Sequence, residues 1–315
     1  MRKSYLIWTL VIGGGFMFVF LVALLSLVLL LSSNDDGVSG LGFGLPGDRI
    51  AVIDIEGVIF DSKPFSEQVK KFVDDPRVKA IILRIDSPGG GVAASQEIYS
   101  EIKRLREEKK KRFVVSMGSV AASGGYYIAC AADKIVANPG TVTGSIGVIA
   151  EWYNYEELLK LARLKPEVFK SGKFKDTGSP TRRLTEEEKA YFQGLIDQMY
   201  NQFLNAVIEA RNGKKNLTDE HIRKLADGRV YTGQEAVDVG LVDELGDLQE
   251  AIRIAARLVG ISGEPQVVTP PKPRPRSLLD LLMSSDIADN ITRLVPEQLR
   301  GPNSGAAVQF EYLWK

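Results

Sequence analysis

Ser123 is the side chain best set up for chemistry in this chain of 315 residues. It lies in Ser116-Met-Gly-Ser-Val-Ala-Ala-Ser-Gly-Gly-Tyr-Tyr-Ile-Ala129, where Ala121, Ala122, Gly124 and Gly125 strip the surroundings of bulk around one hydroxyl. Val114, Val115 and Met117 read as a buried strand, and Tyr126 to Ala132 as a short apolar helix. A serine at a strand-to-helix turn stands where unpaired backbone N–H groups favour a developing oxyanion. The G-x-S-x-G spelling of a nucleophile elbow is absent. A tight Gly/Ala turn that lets a helix cross a sheet closely accounts for this segment equally well.

A nucleophilic serine needs a base, and the chain contains one histidine, His221. It sits in Thr218-Asp-Glu-His-Ile-Arg-Lys-Leu-Ala-Asp227, a charged helix with Thr218 as N-cap, where a solvated side chain is expected. Lysine is the main alternative, in a Ser-Lys arrangement. A second chemical element, Arg84-Ile-Asp-Ser-Pro-Gly-Gly-Gly91, leads from a buried strand into a helix. In open α/β sheets ligands bind at that carboxyl end of a strand. Its glycines let backbone N–H groups approach a ligand, as half of an oxyanion hole completed by the N–H of Gly124. A phosphate loop is the other reading, but the G-x-G-x-x-G spacing fails and no Walker lysine follows.

Composition narrows the setting. Forty basic and forty acidic residues cancel, so no nucleic-acid partner is expected. The lone cysteine, Cys130, forbids an intrachain disulfide framework and reads as a small core residue. No Cys/His cluster has metal-ligand spacing, and no cofactor is expected.

Residues 5–31 form an uncharged apolar run behind Arg2 and Lys3. At about 1.5 Å per residue such a helix reaches roughly 40 Å, enough for a bilayer core of about 30 Å. No cleavage site follows, so residues 1–33 are expected to be an uncleaved anchor with a cytoplasmic N-terminus and the remaining chain outside. Residues 34–48, with five glycines, read as a tether. A domain spans 49–262, a proline-rich linker 263–276 and a tail 277–315, which is expected to pack on the domain or on a neighbour.

Within the domain, 50–55, 80–85, 113–117 and 135–137 read as strands, with helices over 65–73 and 94–111. That alternation predicts an α/β fold with a mostly parallel sheet. Thr185/Glu188, Thr232/Glu235 and Asp247/Glu250 have capping spacing for three further helices. The first carries the stripe Phe192, Leu195, Met199, Phe203 and Val207, which is core or subunit contact.

Ser-Pro-Gly-Gly after a strand, Ala-Ala-Ser-Gly-Gly-Tyr-Tyr-Ile some thirty residues on, and Thr143-Gly-Ser-Ile-Gly147 together resemble the signal peptide peptidase A family. Lys170-Ser-Gly-Lys-Phe-Lys-Asp176 is similar to its base segment, and Asp227-Gly-Arg-Val-Tyr-Thr-Gly233 with Gly240-Leu-Val-Asp243 to its C-terminal signature. The resemblance covers about residues 49 to 260. It implies a crotonase/Clp-protease-like spiral of ββα units preceded by one transmembrane helix. It also implies a membrane-anchored, ring-forming homo-oligomeric peptidase that clears signal peptides left after secretion. Residue by residue, it makes Ser123 the nucleophile, Lys175 the general base and Ser145 a serine that orients the lysine. Gly90 and Gly124 become the backbone oxyanion donors. Asp86 stands where the family often has Asn.

Lysine has an ordinary pKa of about 10.4, so a base at neutral pH needs a downward shift of about 3 units, or about 4 kcal/mol against the ammonium. Burial is the usual cause. Lys175 lies in the charged segment 170–183, which is expected to be exposed in a single chain and covered by an adjacent subunit. Two other activities remain open: membrane-protein quality control by the same chemistry, and a crotonase-like acyl-CoA enzyme without a covalent intermediate.

Overall fold

A computed structural model describes residues 47–270 and the backbone of 309–313. Residues 5–31, the expected anchor, lie outside them, as do most of the expected tether, linker and tail. Among the described residues no helix is long and apolar enough to cross a membrane.

Strands β1 (Arg49–Glu56) and β2 (Val78–Ser87) flank helix α1 (Lys63–Val73). A short strand β3 (Gly89–Gly91) runs straight into α2 (Val92–Lys109). Then come β4 (Arg112–Ala122), α3 (Gly124–Ala129), β5 (Lys134–Ala137), β6 (Val142–Gly144), β7 (Ile149–Glu151) and α4 (Glu156–Leu161). The long helix α5 (Glu186–Arg211) precedes α6 (Asp219–Leu225), β8 (Val230–Thr232), α7 (Gly233–Asp238), β9 (Glu244–Leu245), α8 (Leu248–Val259) and β10 (Gln266–Val268). A last strand, β11, covers Gln309–Leu313.

The main sheet has the order β10-β1-β2-β4-β5-β9, with every pair on this path parallel. Both of its faces are buried, which explains near-continuous apolar runs such as Ala80-Ile-Ile-Leu83. Alternation assigns the faces. Ile53, Ile55, Leu83, Ile85 and Val115 share one core with residues of α1, α2, α3 and α5, whereas Ile50, Val52, Ile82 and Val114 pack on Ala251, Ile252, Ile254 and Ala255 of α8. The protein is therefore a mixed α/β fold with a parallel-rich sheet, as its alternating elements predict.

Two expectations are corrected where the site lies. The strand expected over 113–117 continues to Ala122, because β4 changes partner: its residues 114–116 pair with β5 and its residues 120–122 with β6. The changeover frees carbonyls that other groups satisfy. Arg84 Nη1 (2.9 Å) and Asn138 Nδ2 (3.1 Å) donate to Met117 O, and Thr141 Oγ1 (2.7 Å) to Gly118 O. The glycines after Pro88, expected to lead from a strand directly into a helix, instead form β3, bridged in parallel to Ile59 on one side and paired with β11 on the other.

Candidate active site

Ser123 sits between the end of β4 and the first turn of α3, and is 1 % exposed. Its backbone has φ 53° and ψ −115°, a region non-glycine residues avoid at a cost of about 1–3 kcal/mol. The surroundings hold it there. Its N–H donates to Gly144 O (2.8 Å), and its carbonyl accepts from Tyr127 N (2.8 Å). Tyr126 and Ile128 are fully buried, with Tyr126 Oη donating to Leu241 O at 2.8 Å. The Tyr127 ring packs at 4.9 Å from the rings of both Tyr99 and Phe203. Burying each such side chain contributes about 2 kcal/mol, so packing of α3 outweighs the strain at Ser123. Gly124, the first residue of α3, has one of the N–H groups that a helix's first turn leaves without an internal acceptor.

Ser145 comes to Ser123 through strand pairing. Ala121 faces Thr143 and Ala122 faces Gly144 in the parallel β4–β6 ladder, so the two serines follow it side by side. Ser145 also has positive φ (51°), is 8 % exposed, and donates its N–H to Arg229 O at 2.8 Å. Gly144 has φ 80°, and a Cβ there would stand 2.7 Å from the Tyr231 ring. A glycine is thus required where the chain turns between the two serines.

The Gly90 segment approaches from the other flank. Ser87 is paired with Ala121, and a Cβ on Gly125 would stand 3.1 Å from Ser87 O. Asp86 ties the two segments together, its Oδ1 accepting from Val120 N at 3.0 Å. Gly90 is buried, and a Cβ would overlap Ile59 O at 2.2 Å. The Asp at 86 thus serves as a fastener between two site segments, a role its sequence position alone does not reveal.

Lys175 is not joined to this group. Its side chain is exposed and makes no hydrogen bond or ion pair among the described residues, and only its backbone N–H donates, to Gly172 O at 3.1 Å. The next residue is firmly held. Asp176 takes Arg182 Nε (3.0 Å) and Lys170 Nζ (2.5 Å), and these two cations, Arg182 first, keep its carboxyl well below the usual range. Arg182 also forks onto Glu188, with Nη2 to Oε1 at 2.5 Å and Nη1 to Oε2 at 2.8 Å. Glu188 caps α5 through Thr185 N and accepts from Thr177 Oγ1, and its carboxyl is held at about 2, chiefly by Arg182. The lysine loop is thereby clamped to the start of α5. The capping spacing of Thr185 and Glu188 is visible in sequence, but the choice of Arg182 as partner is not.

Other candidates fall away. His221 is exposed on α6. Cys130 is buried, and burial pushes its thiol up to about 12, so it stays protonated at neutral pH. Among the described residues no group of three acidic, His or Cys side chains is placed to hold a metal.

Comparison with known proteins places the chain in a family. Residues 105–262, half of the chain, match the model of peptidase family S49. The Synechocystis sp. protein slr0021, which carries a protease name, is 42% identical over 234 residues, covering 73% of this chain and 82% of its own. An Enterococcus faecium protein named for signal peptide peptidase SppA is 36% identical, covering 70% and 66%. Protease 4 of Salmonella typhi is 35% identical over 81% of this chain, which spans 41% of that longer protein. Among solved structures, a 1510-N membrane-bound stomatin-specific protease covers 73% of this chain at 17% identity and a TM-score of 0.44. The chain belongs to peptidase family S49 and is a serine peptidase.

Proposed function

We propose that this peptidase works through a Ser123–Lys175 dyad on apolar peptides beside a membrane, remnant signal peptides above all. The observation that carries the reading is Ser123 itself: a buried serine in a strained conformation at the head of α3, flanked by Ser145 and by the N–H of Gly124. Lys175 takes the proton as Ser123 Oγ attacks the peptide carbonyl, and the N–H groups of Gly90 and Gly124 receive the oxyanion. Lys175 then protonates the leaving amine, and water hydrolyses the acyl-enzyme. Ser145 orients the neutral amine. The change of β4's partner from β5 to β6 supports a spiral of ββα units.

A lysine standing in water is a poor base, so the reading includes a neighbouring subunit that covers the lysine loop. Its support is apolar surface just before that loop: Leu161 and Phe169 are 83 % and 96 % exposed, and Leu164 and Val168 are also exposed. The uncharged apolar run of residues 5–31 supports an assembly at the membrane with an extracytoplasmic peptidase domain. The relative named for signal peptide peptidase supports the substrate class.

The test is cleavage of an apolar fluorogenic peptide by the full chain in detergent. Ser123→Ala and Lys175→Ala are each expected to lose activity on the order of 10⁴-fold. Lys175→Arg should be equally inactive, because a guanidinium does not deprotonate. A serine-directed phosphonate should label Ser123 and no other residue. Activity retained in Ser123→Ala overturns the reading, and an absence of labelling in an active protein points instead to chemistry without an acyl-enzyme.

A further inference from the structure

Arg211 is the largest fully buried side chain among the described residues, and it ends α5 against a motif that the dyad leaves without a role, Gly240-Leu-Val-Asp243. Its Nε (2.8 Å) and Nη2 (2.6 Å) both donate to Gly240 O, and its Nη1 donates to Asp243 Oδ2 at 3.0 Å. The Asp243 side chain, 7 % exposed, also accepts from Lys214 Nζ (3.1 Å) and from the Ile135 N–H (2.8 Å). Dehydrating such a pair of charges costs about as much as their attraction returns. What the planar fork of a guanidinium adds is direction, since it fixes its acceptors in one geometry.

The turn held in this way reaches both arms of the bend at Ser123. On the outgoing arm, Tyr126 of α3 is fully buried and donates its hydroxyl to Leu241 O at 2.8 Å. Arg211 also lies within electrostatic reach of Tyr126 and of Cys130, the residue that ends α3. Burial pushes both groups up, and the guanidinium opposes that push. On the incoming arm, Asp243 N donates to Ile135 O at 3.0 Å, and Ile135 faces Val115 in the β4–β5 ladder. Strand β4 then runs on to Ala122, next to Ser123. Leu241 and Val242 are themselves fully buried, so packing leaves the turn little freedom. With φ at 53°, Ser123 relaxes towards an ordinary backbone unless both arms are held.

We propose that Arg211 and Asp243 are positioning residues for the nucleophile, setting the place of Ser123 Oγ through the Leu241 carbonyl and the Tyr126 hydroxyl. This role presupposes that Ser123 is the nucleophile. A reacting group displaced by about 1 Å loses up to 10²-fold in rate. Arg211, Asp243 and Tyr126 are buried and touch no substrate, so the loss falls on kcat and not on KM.

Five forms of the full chain in detergent provide the test: wild type, Tyr126→Phe, Arg211→Met, the double variant Arg211→Met/Asp243→Asn, and Ile254→Ala. Ile254 packs from α8 on the other face of the sheet and controls for lost stability alone. At a temperature where each form is folded, Tyr126→Phe should lower kcat about tenfold and Arg211→Met about 10- to 100-fold, with KM within twofold. The rate at which a serine-directed phosphonate labels Ser123 should fall in proportion. Ile254→Ala should lower the melting temperature and keep kcat within twofold. The double variant leaves no unpaired buried carboxylate, so its melting temperature should recover by several degrees over Arg211→Met while its kcat does not. Tyr126→Phe removes a single hydroxyl and keeps the test decisive if Arg211→Met does not fold. Wild-type kcat and labelling in Tyr126→Phe, or a kcat that recovers with the melting temperature in the double variant, overturns the positioning role and spares the nucleophile. Peptide cleavage by a wild type that the phosphonate does not label overturns the nucleophile, and this role with it.

Discussion

Replacing Arg182 by Gln tests whether the lysine loop is held by its clamp to α5. The guanidinium makes two hydrogen bonds to Glu188 (2.5 and 2.8 Å), one to the Asp176 carboxylate (3.0 Å) and one to Asp176 O (3.2 Å). The Glu188 side chain is 6 % exposed, that of Asp176 15 % and that of Arg182 31 %. Breaking a fully buried pair by removing one partner costs about 3–5 kcal/mol, whereas an exposed pair contributes about 0–1 kcal/mol. This half-buried clamp falls between them, at about 2 kcal/mol. Glu188 keeps its bonds from Thr185 and Thr177, and Asp176 keeps Lys170, so the loss is confined to the segment between Lys170 and Thr185.

A local cost of about 2 kcal/mol raises amide exchange in that segment about 30-fold and barely moves the global melting temperature. Displacing a catalytic group by about 1 Å costs up to 10²-fold in rate. Arg182→Gln should therefore lower kcat by about 10- to 100-fold with KM within threefold. Adding Glu188→Gln removes the orphaned charge, so the double variant should recover about 1.5 kcal/mol relative to the sum of the single effects. Exchange mass spectrometry and steady-state kinetics read both. Wild-type exchange over residues 170–185 together with wild-type kcat in Arg182→Gln would show that the clamp positions nothing.

Gly90→Ala places a methyl 2.2 Å from Ile59 O and 2.5 Å from Ile59 N, both immobile backbone atoms. Overpacking of this kind costs about 1–3 kcal/mol, so a melting temperature lowered by roughly 5 °C and a kcat reduced at least tenfold are expected; wild-type values in both would mean that the glycine is not required. Acid should also weaken the clamp. The Glu188 carboxyl lies at about 2 when folded, below its ordinary 4.5, so its contribution is full above pH 4.5 and is lost as pH falls towards 2. After allowance for solvent screening this amounts to about 1–2 kcal/mol. Chemical unfolding of wild type and Glu188→Gln should accordingly differ at pH 7 and converge as pH approaches 2, and a gap independent of pH would contradict the pairing.

Much of the site is written locally. Ser123 stands out because small residues surround one hydroxyl, and the Thr-Gly-Ser segment holds Gly144 at φ 80°, where a glycine is needed. The cap residues Thr185, Thr218, Thr232 and Asp247 each accept from the backbone N–H three residues on, as their spacing predicts. The extension of β4 to Ala122 was not legible, since Gly118 to Ala122 carry little strand preference and are held by β6, some twenty residues away. Nor was Asp86 as a fastener, because its acceptor geometry exists only once β2 and β4 lie side by side.

From sequence alone, then, come the reactive types, the alternation of strand and helix, and an exposed charged setting for Lys175. Each depends on neighbours within a few residues, where chain geometry leaves few choices. Tertiary structure alone sets Ser145 beside Ser123, gives Ser123 its positive φ, chooses Arg182 for Glu188 and lays residues 309–313 along Gly90. Those pairings link segments from a few residues to more than two hundred apart, and a partner on another strand leaves no periodic trace in the chain that receives it.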